Sequence, residues 1–244
     1  MQDYFYDNYK SNSTEQQVQY VTERVRRFGL CVLPTFFEPM YCIEACKTID
    51  TLLDNGNCKI WQDQLQADTR IMGIEKLAPD LNIYNTPLIN SVITNLYGSS
   101  MLSGFVMAGR IKSLSGNLGS GQGWHRDSVG DNQYKALLYL TDVDEFHGPF
   151  EYYLNTFSER SMAAVERRYA IGRMQNRLSE HDVSLLPEKR KLTLCQSKGT
   201  LVIANTRAIH RGAPILAGTR YALTTYSWRD NIPKHIQSFV NKPD

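Results

Sequence analysis

The chain has 244 residues, 42% hydrophobic and 21% charged, with a net charge of +2. That size suits one large soluble domain or two small ones with a sizeable core, and the balanced charge favours neither a nucleic-acid nor a membrane partner. No apolar run reaches the ~18 residues that cross a bilayer, and an odd count of five cysteines behind a polar start fits reduced thiols and a cytoplasmic protein.

Residues 1–12 read as a flexible, polar, tyrosine-rich tail. Ser13 or Thr14 can cap a helix in which Val18, Val21, Val25 and Phe28 recur at helical spacing, with Gly29 ending it. Residues 30–33 form a short buried strand stopped by Pro34. A second helix runs from about Pro39 to Leu53. Its Cys42 and Cys46 lie in an apolar pattern and read as small hydrophobes, as free buried thiols usually are. Residues 57–85 suggest short strands and loops, and a third helix covers about 87–97. From residue 101 the chain turns β-rich, with strands expected over 104–114, 135–143, 150–154, 192–195, 200–204 and 221–228. A charged, helix-compatible insertion at about 158–190 interrupts them and is expected to be a lid. The fold expected from these elements is α+β, mainly β: a double-sheet barrel (jelly-roll or cupin-like) core with N-terminal helices and a helical lid insertion. Residues 13–244 form its single domain.

The chemistry centres on Trp124-His125-Arg126-Asp127. Strand alternation points His125 and Asp127 the same way and Arg126 the other. An imidazole beside a carboxylate is half a metal site. If His210 closes the triangle, the set is two histidines and one carboxylate, a facial arrangement with open positions that suits non-haem Fe(II). His210 follows the buried run 200–205, where a strand gives way to a turn at the barrel rim. Ten residues on, Arg220 opens the last strand, and its face continues through Ala222, Thr224 and Tyr226. A guanidinium directed into a barrel costs on the order of several kcal/mol unless paired, and an anionic ligand gripped bidentately would resolve that.

Trp-His-Arg-Asp, a barrel of short strands, Ile-His-Arg-Gly-Ala-Pro at 209–214 and an arginine ten residues beyond the histidine together resemble the phytanoyl-CoA dioxygenase superfamily of Fe(II)/2-oxoglutarate oxygenases. VTERVRRFGLCVLPTFF is similar to that family's opening helix and strand, and the likeness spans roughly residues 14–230. The resemblance implies a double-stranded β-helix. It implies iron ligation by His125, Asp127 and His210, and an Arg220 that holds the distal carboxylate of 2-oxoglutarate. It also implies a second 2-oxoglutarate contact from the first core strand, for which Lys112 in Arg110-Ile111-Lys112 is the candidate. The reaction implied is oxidation of a small-molecule substrate by O2, with 2-oxoglutarate decarboxylated to succinate. A retained Asp127 favours hydroxylation over halogenation, which needs that position vacant.

Two departures leave the substrate open. The family's Pro-Gly-Ser-His stretch is replaced by Leu154-Asn155-Thr156-Phe157 after Gly148-Pro149, and Gly212 stands where many members carry Ser or Thr. Two other readings remain: a catalytically silent barrel that binds a ligand or partner, and a cupin-like metalloenzyme without 2-oxoglutarate. A buried Arg220 disfavours the second. His147, His181 and His235 sit in polar or turn contexts and read as bystanders. The glycines of 116–123 lead into a strand, not a helix N-terminus, so they read as an active-site loop instead of a phosphate cradle. Within 158–191, eight Lys/Arg against five acids give about +3. That charge suits an anionic substrate, although a solvated helix face explains it equally well.

Overall fold

The computed structural model describes residues 3–100 and 102–242. Helix α1 (Thr14–Phe28) begins at Ser13, whose hydroxyl accepts from the Gln16 amide while the Gln16 side chain accepts from the Ser13 N–H. This is the reciprocal capping box expected from the sequence. The helix ends at Gly29, φ 90°. A Cβ there would collide with the Tyr152 hydroxyl, which donates to the carbonyls of Gly29 at 3.2 Å and Asn205 at 3.1 Å. The remaining front elements are β1 (Leu30–Leu33), α2 (Pro39–Asn55), β2 (Trp61–Gln62), β3 (Asp68–Met72) and α3 (Pro87–Tyr97). The body follows as β4 (Ser103–Lys112), β5 (Tyr134–Tyr139), β6 (Phe150–Tyr153), α4 (Glu159–Tyr169), α5 (Glu180–Ser184), β7 (Lys191–Leu194), β8 (Leu201–Asn205), β9 (His210–Gly212), β10 (Thr219–Trp228) and α6 (Lys234–Gln237).

Seven strands make one antiparallel sheet in the order β1-β8-β5-β10-β4-β3-β2, and three make a second, β7-β6-β9. A large antiparallel sheet facing a smaller one is consistent with a jelly-roll core. The outer face of the large sheet carries Val106, Ala108, Leu138, Ile203 and Leu223, packed against Val21, Val25, Ile49, Ile89, Val92 and Ile93 of the front helices. Each such fully buried aliphatic side chain is worth about 1.5–3 kcal/mol. Between the sheets lies a second cluster that includes Val32, Tyr139, Phe150, Tyr152 and Val202.

One expectation is corrected. Residues 3–12 do not form a loose tail: Tyr4, Tyr6 and Tyr9 are buried, and Val32 N–H donates to Tyr4 O at 2.7 Å while Tyr6 N–H donates to Val32 O at 2.9 Å. Tyrosine is polar only at its tip, so its ring can cover an apolar sheet edge. The insertion packs onto the barrel through its apolar residues. Its Met162, Val165, Ile171, Leu178, Val183 and Leu186 form a third apolar cluster with Trp124, Tyr153 and Ile209, and only one of its residues, Arg177, reaches the cavity lining among those described. No helix among the described residues is long and apolar enough to cross a membrane.

Candidate metal centre

His210 opens β9, and His125, in the segment between β4 and β5, forms an isolated antiparallel bridge opposite it. Each backbone N–H donates to the other's carbonyl at 2.9 Å, so β9 extends the small sheet towards residue 125, and residue 125 pairs in turn with Arg177. β9 is too short to recognise in sequence, which is why His210 was expected at a strand's end; it opens one instead. Alternation does the rest. Trp124 and Arg126, 3% and 2% exposed, point to the back, while His125 and Asp127 point into the cavity. Asp127 is fixed by its N–H donating to Thr206 O at 3.0 Å.

The three side chains converge, with one ligand atom from each lying within 4.8 Å of the others. His125 Nε2 is 3.7 Å from Asp127 Oδ1, and His210 Nε2 is 3.4 Å from Oδ2. Both Nδ1 atoms face a backbone carbonyl at 2.9 Å, Gly123 O for His125 and Ala208 O for His210. A carbonyl only accepts, so each Nδ1 carries a hydrogen and each Nε2 is turned to the shared point. Burial, and then the neighbouring His210, push the His125 imidazole down to about 3, which keeps it neutral. Burial opposes the charge on Asp127, yet Lys135 above all, then the histidines, hold its carboxyl well below the usual range. Two imidazoles and one carboxylate are a donor set that suits a divalent transition metal, so this group could hold such an ion.

The cavity is about 190 Å3, with Trp61, Arg70, Gln122, Lys135, Arg177, Phe150, Thr224 and Tyr226 among its walls. The Gly-rich loop supplies Ser120, Gly121 and Gln122, as expected of an active-site loop. Arg220 is 6% exposed and, among the described residues, no hydrogen bond or ion pair reaches its guanidinium. Burial pulls its pKa below the ordinary value. A Cβ on Gly212 would come 2.8 Å from Arg220 Nη2. The residue departing from the family pattern therefore clears space for this guanidinium. A buried, unpartnered cation is costly unless an anion arrives, and a carboxylate-bearing co-substrate fits that need.

Lys112 is exposed at the end of β4. In the register, Arg220 lies opposite Ile111, so Ile111 shares the inner face and Lys112 faces outward; the expectation was wrong by one residue of parity. The inner cations that sequence reasoning missed are Arg70 and Lys135. Lys135 Nζ lies 2.7 Å from Asp127 Oδ2 and 3.8 Å from the centroid of the Tyr226 ring. Burial would lower its pKa, but Asp127 and Tyr226 raise it. Arg70 donates from Nε to both Asp68 oxygens at 3.1 Å and stacks 4.6 Å from the Trp61 centroid. The signal for Lys135 was available: it shares the period-two face of Leu137 and Tyr139, where an isolated lysine is out of place. His147 pairs with Asp144 at 2.6 Å on the surface, and His181 and His235 are exposed, all outside the site.

No family model and no curated protein matches the chain. Solved structures do. SnoN, an epimerase from nogalamycin biosynthesis determined with Fe3+, α-ketoglutarate and nogalamycin RO, aligns with a TM-score of 0.65 at 13% identity, covering 94% of this chain and 91% of its own. The α-ketoglutarate-dependent carbocyclase SnoK aligns at 0.64 and 14% identity, covering 97% and 94%. HygX from Streptomyces hygroscopicus, with nickel and 2-oxoglutarate bound, aligns at 0.59 and 14% identity, covering 88% and 87%. At these identities the likeness is one of fold. That fold is shared with non-haem iron, α-ketoglutarate-dependent enzymes, which is consistent with the superfamily resemblance read from the motifs.

Proposed function

We propose that the protein is an Fe(II)- and 2-oxoglutarate-dependent dioxygenase on a double-stranded β-helix, hydroxylating a small molecule. One observation carries this reading. A convergent His125, Asp127 and His210 set shares its barrel with a buried guanidinium, Arg220, to which no described residue is hydrogen-bonded or ion-paired. The triad would hold the iron. Arg220 would take the distal carboxylate of 2-oxoglutarate through its planar fork. When bound, iron, 2-oxoglutarate and dioxygen supply oxidation of a substrate C–H coupled to release of succinate and CO2.

The chain's own residues then orient and exclude. Gly123 O and Ala208 O fix the imidazole tautomers, and Lys135 restrains Asp127. Phe150, Leu137 and Val202 keep the inner wall apolar. Arg177 at the rim, in a segment of about +3, favours a substrate bearing carboxylate or phosphate. A silent binding barrel is disfavoured because no ligand position is lost.

Adding 2-oxoglutarate anaerobically to the Fe(II)-loaded protein tests the reading by the appearance of a weak visible absorption band. Succinate release over a panel of anionic and neutral metabolites then ranks substrates. Since SnoN and SnoK are named epimerase and carbocyclase, product mass is followed separately from succinate. Iron retained without the band would overturn the 2-oxoglutarate assignment.

A further inference from the structure

The metal ligands are held from behind. Trp124 and Ile209 each precede a ligating histidine by one residue, and both enter the apolar cluster formed with Met162, Ile171 and Leu178 of the inserted segment. Alternation therefore places the histidines in the cavity by burying their neighbours in the insertion. Arg126, between His125 and Asp127, completes the connection. Its Nε donates to Arg207 O at 2.8 Å, its Nη1 to Arg173 O at 2.6 Å, and its backbone N–H to Asn176 O at 2.9 Å. Leu178 N–H donates to Trp124 O at 3.1 Å alongside. Arg207 in turn reaches Val129 O at 2.9 Å and the Glu159 carboxylate of α4. One buried side chain thus ties the segment of two ligands to the loop leading to the third and to the insertion.

We infer that segment 158–190 is the positioning element of the metal site, and that Arg126 is the positioning residue through which it acts. Metal binding and docking of the segment are then linked, and linkage is reciprocal. Metal should tighten the segment, and loosening the segment should weaken metal binding. Outer partners of metal ligands are typically worth about 10–100-fold in affinity.

The inference rests on the metal-site reading above, and the experiment separates the two. Amide hydrogen exchange is measured on the full chain with and without saturating Ni(II), and Ni(II) affinity is measured by competition titration. Exchange at Arg126 and Leu178 should slow at least about tenfold on loading, consistent with the outer-partner magnitude. Arg126→Gln should lose about 10–100-fold in affinity, and Ile171→Ala several-fold. Arg126→Lys should fall between wild type and Gln, while Arg167→Ala, on the exposed face of α4, should stay within about twofold. If Arg126→Gln does not fold, Ile171→Ala and the wild-type exchange decide. Unchanged exchange on loading, or wild-type affinity in Ile171→Ala, overturns the positioning role. Failure of wild type to bind Ni(II) overturns the metal site itself.

Discussion

The two faces of the large sheet follow the same alternation and use it for opposite ends. On β10, Leu223 turns outward into the helix-covered core, while Thr224 and Tyr226 line the cavity and Arg220, of the same parity, is buried at the strand's start. The outer face is apolar and interchangeable within volume. The inner face holds Arg220, Lys135 and Arg70, charges that a core built for stability alone would avoid. Stability and chemistry are thus separated by one residue of register.

His210→Ala should separate the faces most sharply. Metal affinity should fall by more than about 100-fold, since an outer partner alone is worth up to that much, whereas the unfolding midpoint without metal should barely move. Isothermal titration with Ni(II), beside a thermal melt, checks both. Leu138→Ala should do the reverse, costing about 2–5 kcal/mol in urea unfolding with Ni(II) affinity retained. Equal losses in both measurements would break the separation.

Arg220→Ala comes next. Losing a charge-assisted pair costs about 1.5–3 kcal/mol, read as weaker 2-oxoglutarate binding to the metal-loaded protein. The ligand-free protein should be no less stable, because an unpartnered buried cation has been removed. Arg220→Lys keeps the charge but not the fork, so it should recover only part of the affinity. The smallest effect belongs to Lys112→Ala, which should leave 2-oxoglutarate binding within about twofold, as exposed substitutions do.

Those last two residues show what the sequence made legible. Arg220 is readable because its face continues at period two to Tyr226, and His125 with Asp127 because alternation is local. Lys112 was misplaced because a three-residue motif was matched without fixing parity, and one residue of slip exchanges the faces. Lys135 went unnoticed although KALLYL puts it on the inner face. The insertion was read by its charges, while its Met162, Val165 and Ile171, which dock it, were not singled out. Contacts such as Arg126 with Arg173 O join residues 47 apart in sequence, and no local pattern announces them.

The tyrosine strap at the front bears on how the protein can be handled. Val32 is bonded through both its N–H and its carbonyl to Tyr4 and Tyr6, and β1 is the outermost strand of the large sheet on that side. A chain trimmed to begin at residue 13 would uncover that row of donors and acceptors beside freshly exposed aliphatic surface, a template for strand addition by another molecule. Light scattering should find such a trimmed protein self-associating with concentration where the full chain does not. A cleavable tag at this end would need a spacer long enough to leave the strap seated.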